Sequence, residues 1–518
     1  MVKLIIGNYT SRILGYLPED VHDEIDQSLS YSPPNARHSK AFKDKRWDGV
    51  IRLYKKSYGQ FFNTGLISIV QNILNKNQIP FSRVDERFRP KQNLPHLTFT
   101  PFDGYEERDY QQFTIDRAYK RTRGMLKIAT GGGKTMIVAE LIGKIKTAPF
   151  MFYVLTKDLM EQAYETLSLT LNEPIGRLGG GKWDIQNINV CTIQTAIRAV
   201  NLKNKKFKIS DYKFDDEDIW DKKDIEDEDK LQHLKNLLKA TKGIYMDESH
   251  HASSKTCIDV IGASPNAYWR YGGSATPYRE DGAEIVLQSL FGKKIVDISA
   301  SYLIDNGFLL EPYIFFEPIE DNCIYNSYPK IYSECISKNP DFNTHVSDTA
   351  NFLVDNGLIT LILVQHIHHG QTLQKLIPGS RFVAGNLSTK KRKEAIQDLR
   401  DRKYSCMIAT SLADEGLDIP TLDAVLLAGG GASATRVHQR IGRTLRIDRK
   451  SKNPRNRSLV IYYKHNAKYL SKHASKALKI MKEEPRFKII KSKGENFILK
   501  EISEAMDLNN HPQTIFDL

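Results

Sequence analysis

The chain has 518 residues, of which 40% are hydrophobic, so several packed cores can form and the length predicts about three domains. No stretch approaches the ~18 apolar residues of a membrane span, which argues against a membrane protein. Lys and Arg (75) outnumber Asp and Glu (62), and the net charge of +13 favours a polyanionic partner such as nucleic acid over a merely solvated basic surface.

The five cysteines are scattered and contain no Cys-x-x-Cys pair. This argues against a disulfide framework or a zinc site and favours a reducing, cytoplasmic location.

Residues 1–100 carry no nucleotide motif, and we expect a small α+β domain there. Apolar runs at Leu4–Ile6, Val50–Leu53 and Phe61–Phe62 predict strands, and Gly65–Leu74 predicts a helix.

The stretch Phe42–Tyr58 mixes basic side chains with aromatic rings. Arg46 and Trp47 can therefore hold a DNA phosphate and stack on an opened base. A sheet with buried rings and solvated lysines explains the same composition equally well, so both interpretations stay open.

The segment Ile128–Thr135, Ile-Ala-Thr-Gly-Gly-Gly-Lys-Thr, predicts a phosphate-binding loop between a strand and a helix. Lys134 supplies charge for the outer phosphates, and the Thr135 hydroxyl can ligate Mg²⁺. Ile128 stands where the strict pattern has a small residue, so the pattern is met only in part. Upstream, Gln111 can read an adenine edge because an amide both donates and accepts. The loop residues expected to bind nucleotide are Thr130, Gly131, Gly132, Gly133, Lys134 and Thr135.

Two apolar segments further on, Phe150–Thr156 and Val190–Thr195, predict buried parallel strands, and a helix is expected at Lys157–Leu167. Open α/β sheets bind ligands at the carboxyl ends of their strands. The polar residues expected at those ends, and therefore candidates for nucleic-acid contact, are Thr156, Thr192 and Gln194.

Residues 201–242 differ from their surroundings. Asp215–Asp229 contains ten carboxylates, and Leu231–Leu238 has a helical pattern. We interpret the segment as a charged surface insertion. Either it is a solvated loop or it imitates DNA and gates access to the site.

The segment Ile244–His251 predicts a strand that delivers Asp247 and Glu248 to its tip. Asp247 can hold Mg²⁺ through water, while Glu248 can orient and polarise an attacking water. His250 and His251 have no third ligand at suitable spacing, so we do not predict zinc. Further on, Ser274 and Thr276 are able to bridge the acidic motif to a neighbouring domain.

The order of the phosphate loop, the acidic pair with its histidine and the Ser-Ala-Thr motif resembles a DExH-type helicase of superfamily 2. Such a motor needs a second domain. Its first strand is expected at Leu358–Val364, after a connecting stretch (Asp305–Pro318) and helices around 326–356.

Two later segments resemble the helicase motifs of that second domain. In Tyr404–Ile419 the resemblance implies that Thr410 holds a strand phosphate and that Gly416 and Asp418 face the nucleotide. In Val437–Arg446 it implies that Arg443 and Arg446 act as arginine fingers and that Gln439 positions the water. If the segment is helical, these three side chains share one face.

A narrower resemblance, to the UvsW-type phage branch-migration helicases, extends over nearly the whole chain. The charged insertion departs from it. The segments that carry it are Arg46–Tyr54, Gly65–Ile67, Gln365–Gly370, Ile441–Arg446 and Tyr469–His473. In the basic tail, Lys476–Glu484 predicts a helix and Phe487–Leu499 a pair of short strands that pack on the second motor domain.

We therefore expect an α/β protein with two RecA-like parallel-sheet domains in tandem (101–300 and 301–465), an N-terminal α+β DNA-binding domain (1–100) and a C-terminal extension (466–518). The resemblance implies a monomeric, ATP- and Mg²⁺-dependent DNA helicase that acts on forks, four-way junctions and displacement loops. It implies roles in recombination, repair or replication, for a bacteriophage protein in the host cytoplasm. A duplex translocase, an RNA helicase and an ATP-gated clamp without turnover are the alternatives.

Overall fold

The computed structural model divides the chain into two compact units. The first consists of Met1–Ile128 and Gly133–Asp297, and the second of Ala129–Gly132 and Ile298–Leu518. Both large sheets are α/β sheets of mainly parallel strands, with β11 antiparallel at the edge of the first, which confirms the predicted fold class. The structure describes residues 1–33, 36–202, 227–275, 284–320, 323–385, 387–410, 422–429, 441–442, 445–447, 457–493 and 495–507.

The N-terminal part of the first unit is built on a small mixed sheet of strand order β5-β6-β2-β1-β7, in which β1 and β7 are parallel. The predicted strands and the helix after Gly65 are confirmed. The elements are β1 (Val2–Ile6), β2 (Thr10–Leu14), α1 (Glu19–Ser28), β3 (Ser30–Tyr31), a 3₁₀ turn (Ala36–His38), α2 (Lys40–Lys43), β4 (Ile51–Arg52), β5 (Tyr54–Lys55), a 3₁₀ turn (Lys56–Tyr58), β6 (Phe61–Asn63), a 3₁₀ turn (Thr64–Leu66), α3 (Ile67–Lys76) and β7 (Phe81–Asp85).

The first large sheet has the strand order β11-β10-β12-β9-β13-β14-β8-β15. Its elements are α4 (Asp109–Arg121), β8 (Arg123–Ile128), α5 (Lys134–Ile145), β9 (Phe150–Val154), α6 (Lys157–Thr170), β10 (Ile175–Gly179), β11 (Lys182–Asp184), β12 (Ile188–Thr192), α7 (Ile193–Val200), α8 (Glu228–Ala240), β13 (Gly243–Met246), a 3₁₀ turn (Ser249–Ser253), α9 (Lys255–Gly262), β14 (Trp269–Ser274), α10 (Glu284–Phe291) and β15 (Lys294–Ile298).

The small sheet packs against the part of the same unit that contains the first large sheet. The Asn8 side chain donates a hydrogen bond to the carbonyl of Asn266 at 2.9 Å. A Cβ added to Gly65 would lie 1.9 Å from the carbonyl oxygen of Gln288 in α10. Glycine is therefore required at position 65 because the two backbones approach too closely for any side chain.

The second unit contains a parallel sheet of strand order β18-β19-β17-β20-β21-β16-β22. Its elements are α11 (Ala300–Asp305), β16 (Glu311–Ile319), α12 (Tyr328–Lys330), a π-helical segment (Ile331–Ser337), α13 (Pro340–Asp355), β17 (Thr360–Val364), α14 (Ile367–Leu376), β18 (Arg381–Val383), α15 (Thr389–Arg400), β19 (Cys406–Thr410), β20 (Ala424–Leu427), β21 (Arg457–His465), α16 (Lys468–Met481), β22 (Lys488–Lys491) and α17 (Glu495–Asp507).

The central strands of both large sheets are buried along their whole length. Phe150–Val154 in the first sheet and Thr360–Val364 in the second have no exposed residue. Strands of a parallel sheet that is covered on both faces need continuous apolar runs rather than alternation. This is why these strands could be predicted from the sequence.

The interpretation of Asp305–Pro318 as a connecting stretch is wrong. Glu311–Ile319 is the nine-residue strand β16, which pairs with β21 on one side and β22 on the other. Proline removes a ladder donor and usually stays out of central strands. Here Pro312 and Pro318 lie near the two ends of β16, so the apolar run between them keeps its hydrogen bonds.

The tail also differs from the prediction. Its helix begins earlier, at Lys468, and in the described part of the tail one strand follows, Lys488–Lys491, which adds to the edge of the second large sheet. The remaining segment is the helix Glu495–Asp507 rather than a second strand. In the first large sheet, β12 ends at Thr192, so Gln194 lies in the first turn of α7 and not at a strand end.

The cysteines were expected to form no disulfide framework, and one pair departs from this expectation. Cys323 and Cys335 form a disulfide across a separation of 12 residues, while Cys191, Cys257 and Cys406 are free and buried. The pairing is set by the tertiary fold, because Cys335 lies on the π-helical segment that packs on the core of the second unit. Among the described residues, no helix has the length and apolar character to cross a membrane.

One buried histidine makes the second unit sensitive to acid. Burial and the neighbouring His366, His465 and His368 lower the pKa of His369 to about 3. The unfolded chain, with an ordinary histidine pKa of about 6.5, binds this proton more readily. Stability is therefore fully present above pH 6.5 and is lost as the pH falls from there toward 3.

We expect His369→Leu to flatten this dependence. Near pH 5, each unit of acidification should lower the free energy of unfolding of the wild type by about 1.4 kcal/mol more than that of His369→Leu. Urea unfolding between pH 7.5 and 4.5 measures the slope. His233→Leu, on the exposed side of α8, is the control. Equal slopes for the wild type and His369→Leu would contradict the assignment.

Candidate nucleotide and nucleic-acid site

The glycine turn after β8 has the conformation of an anion cradle. Gly131 and Gly133 have φ angles of 82° and 76°, in the left-handed region that favours glycine. Gly133 caps α5 without a side-chain hydrogen bond. The N-terminal end of α5, with its positive dipole, is the end of the helix that a phosphate would bind.

Gln111 lies against this turn. A Cβ on Gly133 would lie 2.5 Å from the Gln111 Nε2 atom, and the Gln111 side chain is buried. Its Oε1 atom accepts hydrogen bonds from the backbone N–H of Arg108 at 3.0 Å and from the hydroxyl of Tyr105 at 2.7 Å. Tyr105 was missed by the sequence reasoning, although it lies in the same segment. Both bonds fix the orientation of the amide.

The acidic pair follows β13, as predicted. The Lys134 Nζ atom lies 4.0 Å from Glu248 Oε1, which places the lysine of the glycine turn beside the acidic motif. Glu248 has a φ of 47° and a ψ of 48°, a left-handed conformation that costs a non-glycine residue roughly 1–2 kcal/mol. Such strain is typical of functional positions.

The two carboxylates differ in their electrostatic environment. Burial and the neighbouring Glu248 raise the pKa of Asp247. Burial also acts to raise the pKa of Glu248, but Lys134 and His250 outweigh it and hold that pKa well below its usual range. Glu248 is therefore ionised at neutral pH, which a group that accepts a proton must be.

A histidine connects the acidic motif to β14. The His250 Nδ1 atom lies 3.3 Å from Glu248 Oε2 and 3.0 Å from Ser274 Oγ. Sequence reasoning placed Ser274 in a coupling role but assigned no role to His250 in the site. The spacing of 24 residues between His250 and Ser274 explains the omission. Thr276, the other predicted coupling residue, lies outside the described residues.

The residues of this site fit a Mg²⁺-bound triphosphate. Gly131 and Gly133 take the left-handed conformation that lets backbone amides turn toward a phosphate, and the half-buried Asp247 carboxylate has a raised pKa that a cation would relieve. Carboxylate and hydroxyl oxygens are the ligands that Mg²⁺ prefers. Asp247 and Thr135 would hold the ion, and Lys134 the outer phosphates.

Arg446 belongs to the second unit, together with the turn residues Ala129–Gly132. Leu309 and Arg446 form an isolated antiparallel bridge. A Cβ on Gly131 would lie 2.8 Å from Leu309 Cδ2 and 3.8 Å from Arg446 Cγ. Burial, with Arg400 nearby, lowers the pKa of Arg446 to about 10, so the guanidinium stays charged at neutral pH.

Several predicted residues of the second domain cannot be placed. The predicted nucleotide and catalytic residues that lie outside the described part of the chain are Gly416, Asp418, Gln439 and Arg443.

The predicted nucleic-acid residues in the large sheets lie at or just beyond strand ends, and their side chains already have partners. Thr156 and Thr192 cap α6 and α7, each hydroxyl accepting a backbone N–H. Gln194 donates to the carbonyl of Leu155 at 2.6 Å, and the Thr410 hydroxyl accepts from the N–H of Gly385 at 3.0 Å. These side chains are therefore held in place by hydrogen bonds within the local fold.

Arg46 and Trp47 lie on the surface of the N-terminal part. Arg46 is exposed and pairs with Asp44 at 2.6 Å, while the half-buried Trp47 ring donates to the carbonyl of Val50 at 2.8 Å. Arg46 is accessible to a phosphate. The Trp47 indole N–H is used in a local hydrogen bond, and its ring is only partly accessible.

Comparison with known families identifies the class of protein. Residues 104–279 match the family described as "Type III restriction enzyme, res subunit", and residues 349–448 match "Helicase conserved C-terminal domain". Together the matches span more than half of the chain and define an ATP-dependent helicase. The chain belongs to superfamily 2 of the helicases, which confirms the resemblance stated from the motifs.

Individual relatives are distant. "Putative helicase 22" of Sulfolobus islandicus filamentous virus is 27% identical over 77% of this chain and 70% of its own length. "DNA 3'-5' translocase XPB2" of Sulfurisphaera tokodaii is 24% identical over 66% of this chain and 79% of its own length. The crystal structure of phage T4 UvsW covers 95% of this chain and 99% of its own at 18% identity, with a TM-score of 0.43.

Proposed function

We propose that this helicase hydrolyses ATP to move along DNA and to unwind branched DNA. The observation that carries the proposal is the strained Glu248 beside Lys134, connected through His250 to Ser274. In this arrangement the lysine of the phosphate-binding turn lies beside an ionised carboxylate, and His250 connects that carboxylate to Ser274 at the end of β14.

Different residues of the chain bind the phosphates, accept the proton and stabilise the developing charge. Lys134 and the amides of the glycine turn bind and orient the outer phosphates, and Glu248 accepts a proton from the attacking water. Arg446, with Arg443, neutralises the charge that develops on the transferred phosphoryl group, and Gln439 positions the water. Mg²⁺, when bound, neutralises further charge on the phosphates.

DNA contact would be coupled to hydrolysis through Ser274. Because His250 contacts both Ser274 and Glu248, a small shift of β14 alters the orientation of the base. We infer that DNA bound at the strand ends near Thr156, Thr192 and Thr410 favours the hydrolytic arrangement. DNA should therefore stimulate ATP turnover.

The proposal that the substrate is branched DNA rests on the UvsW-type sequence signatures. The proposed direction of movement rests on the names of the relatives. Relatives named DNA 3'-5' translocase or helicase favour movement in the 3'-to-5' direction. A role in recombination, repair or replication rests on the same sequence signatures, and the viral source of the relative named "Putative helicase 22" favours a viral protein. A duplex translocase without strand separation is the second candidate, because residues 104–279 match a restriction-enzyme subunit.

Strand release from forked DNA separates the two candidates. The wild type should release a strand from a fork with a 3' tail in the presence of ATP and Mg²⁺. Lys134→Ala should release none yet still bind DNA, since the lysine contacts phosphates of the nucleotide. Triplex displacement without release from any fork would favour the duplex translocase, and release only from RNA forks would contradict the proposal.

A further inference from the structure

Helix α16 (Lys468–Met481) has one apolar and one basic face. The apolar face packs on the core of the second unit and consists of Leu470, Ala474, Ala477 and Met481. The opposite face carries exposed lysines at spacings of four, four and three residues, namely Lys468, Lys472, Lys476 and Lys479. These spacings put the four ammonium groups in one row about 16 Å long.

No acidic side chain of helix α16 offsets the positive charge of this lysine row. Residues 468–481 contain no aspartate or glutamate. Elsewhere in the second unit, two lysines have an acidic residue four positions away in the sequence: Lys338 pairs with Glu334 at 2.7 Å and Lys500 with Glu504 at 3.9 Å. Like charges four residues apart destabilise a helix, and a bound polyanion removes that repulsion.

Aromatic rings border the row at its first turn. Tyr469 is 38% exposed, with the Lys468 Nζ atom 5.9 Å from its ring centroid. The His473 ring lies 6.0 Å from that of Tyr328, and Tyr325 is exposed nearby in sequence. A basic track with accessible rings is the combination by which proteins hold single strands.

Tyr328 connects these aromatic rings to the carboxyl edge of the second large sheet. The Tyr328 hydroxyl lies 3.3 Å from the side chain of Gln365, the residue that follows β17. Val364, at the end of β17, is in register with Thr410 at the end of β19. The strand end proposed to contact DNA and the aromatic border of α16 are therefore connected within one unit.

We propose that the lysine row of α16, with Tyr469, binds single-stranded DNA as an extension of the path over the strand ends at Gln365 and Thr410. Phosphates contact the ammonium groups, and an unstacked base rests on the exposed ring. The inference rests on the proposed function because it assumes that DNA crosses this edge of the sheet. A solvated helix face is the alternative explanation of the same lysines.

Salt-dependent binding tests the row. The double variant Lys472→Gln/Lys476→Gln removes two charges while keeping a residue of similar helix propensity. Binding of a labelled oligothymidylate of about 20 nucleotides is measured by fluorescence anisotropy without ATP. The slope of log K against log salt should fall by about 1.4, and affinity at low salt should drop on the order of tenfold.

Two further variants control for charge and folding. Lys338→Gln/Lys500→Gln removes the same charge from the same unit and should keep the wild-type slope. Lys472→Arg/Lys476→Arg keeps the charge and should also keep it. If the Gln variant of α16 matches the Lys338/Lys500 variant, the lysine row does not bind DNA and the inference is overturned.

The outcome can be separated from that of the proposed function. DNA-stimulated ATP hydrolysis by the wild type, with an unchanged slope for the α16 variant, rejects the DNA track and leaves the helicase proposal intact. A wild type that shows neither DNA binding nor stimulation rejects both.

Discussion

Replacement of Glu248 by Gln is expected to lower the turnover of ATP by about 10²–10⁴-fold. The amide keeps the size of the side chain but cannot accept the proton of the attacking water. The low pKa that Lys134 and His250 impose on Glu248 keeps the wild-type carboxylate ionised, so the loss should be similar across neutral pH. Phosphate release under saturating ATP and DNA measures the effect.

ATP binding should survive this change, because Lys134 and the glycine turn remain. Glu165→Gln, on the exposed side of α6, is the matched control and should hydrolyse ATP at the wild-type rate. Undiminished turnover in Glu248→Gln would show that the residue does not take part in the chemistry.

Replacement of Arg446 by Ala is expected to lower turnover still further, by roughly 10³–10⁵-fold, the usual worth of an arginine finger. Within the second unit the Arg446 side chain lies beside Gly131 of the glycine turn. Its pKa of about 10 leaves the guanidinium charged at neutral pH. Lys in its place keeps the charge but loses the planar fork, so Arg446→Lys should recover only part of the rate.

The test of this prediction is the rate of ATP hydrolysis with and without DNA. Arg446→Ala should lose the DNA-stimulated rate, while its affinity for a fluorescent ATP analogue changes far less. Arg83→Ala, in exposed strand β7, serves as the control. If Arg446→Ala retains full stimulation, the charge on the phosphoryl group must be stabilised by other side chains.

The parts of the site that could be predicted are those encoded locally. The glycine turn, Lys134 and the acidic pair each follow a buried strand, and the sequence of each motif is sufficient to place it. Asp247 and Glu248 emerge at the end of β13 because that strand is apolar throughout.

The parts that were missed depend on contacts between distant segments. The His250–Ser274 hydrogen bond and the Cys323–Cys335 disulfide are formed by the packing of separate elements and leave no local pattern. Strand β16 was hidden by its two prolines, whose position near its ends only the sheet reveals. Gln194 was assigned to a strand because apolar periodicity does not show where the strand ends. In the structure β12 ends at Thr192, which caps α7.

The most direct test of the central claim is an experimental structure of the wild type with a non-hydrolysable ATP analogue, Mg²⁺ and forked DNA. We predict that the terminal phosphate lies within hydrogen-bonding distance, about 2.7–3.2 Å, of both the Lys134 ammonium and the Arg446 guanidinium. A nucleotide bound away from the glycine turn, or a terminal phosphate that contacts Lys134 while Arg446 points elsewhere, would contradict the account.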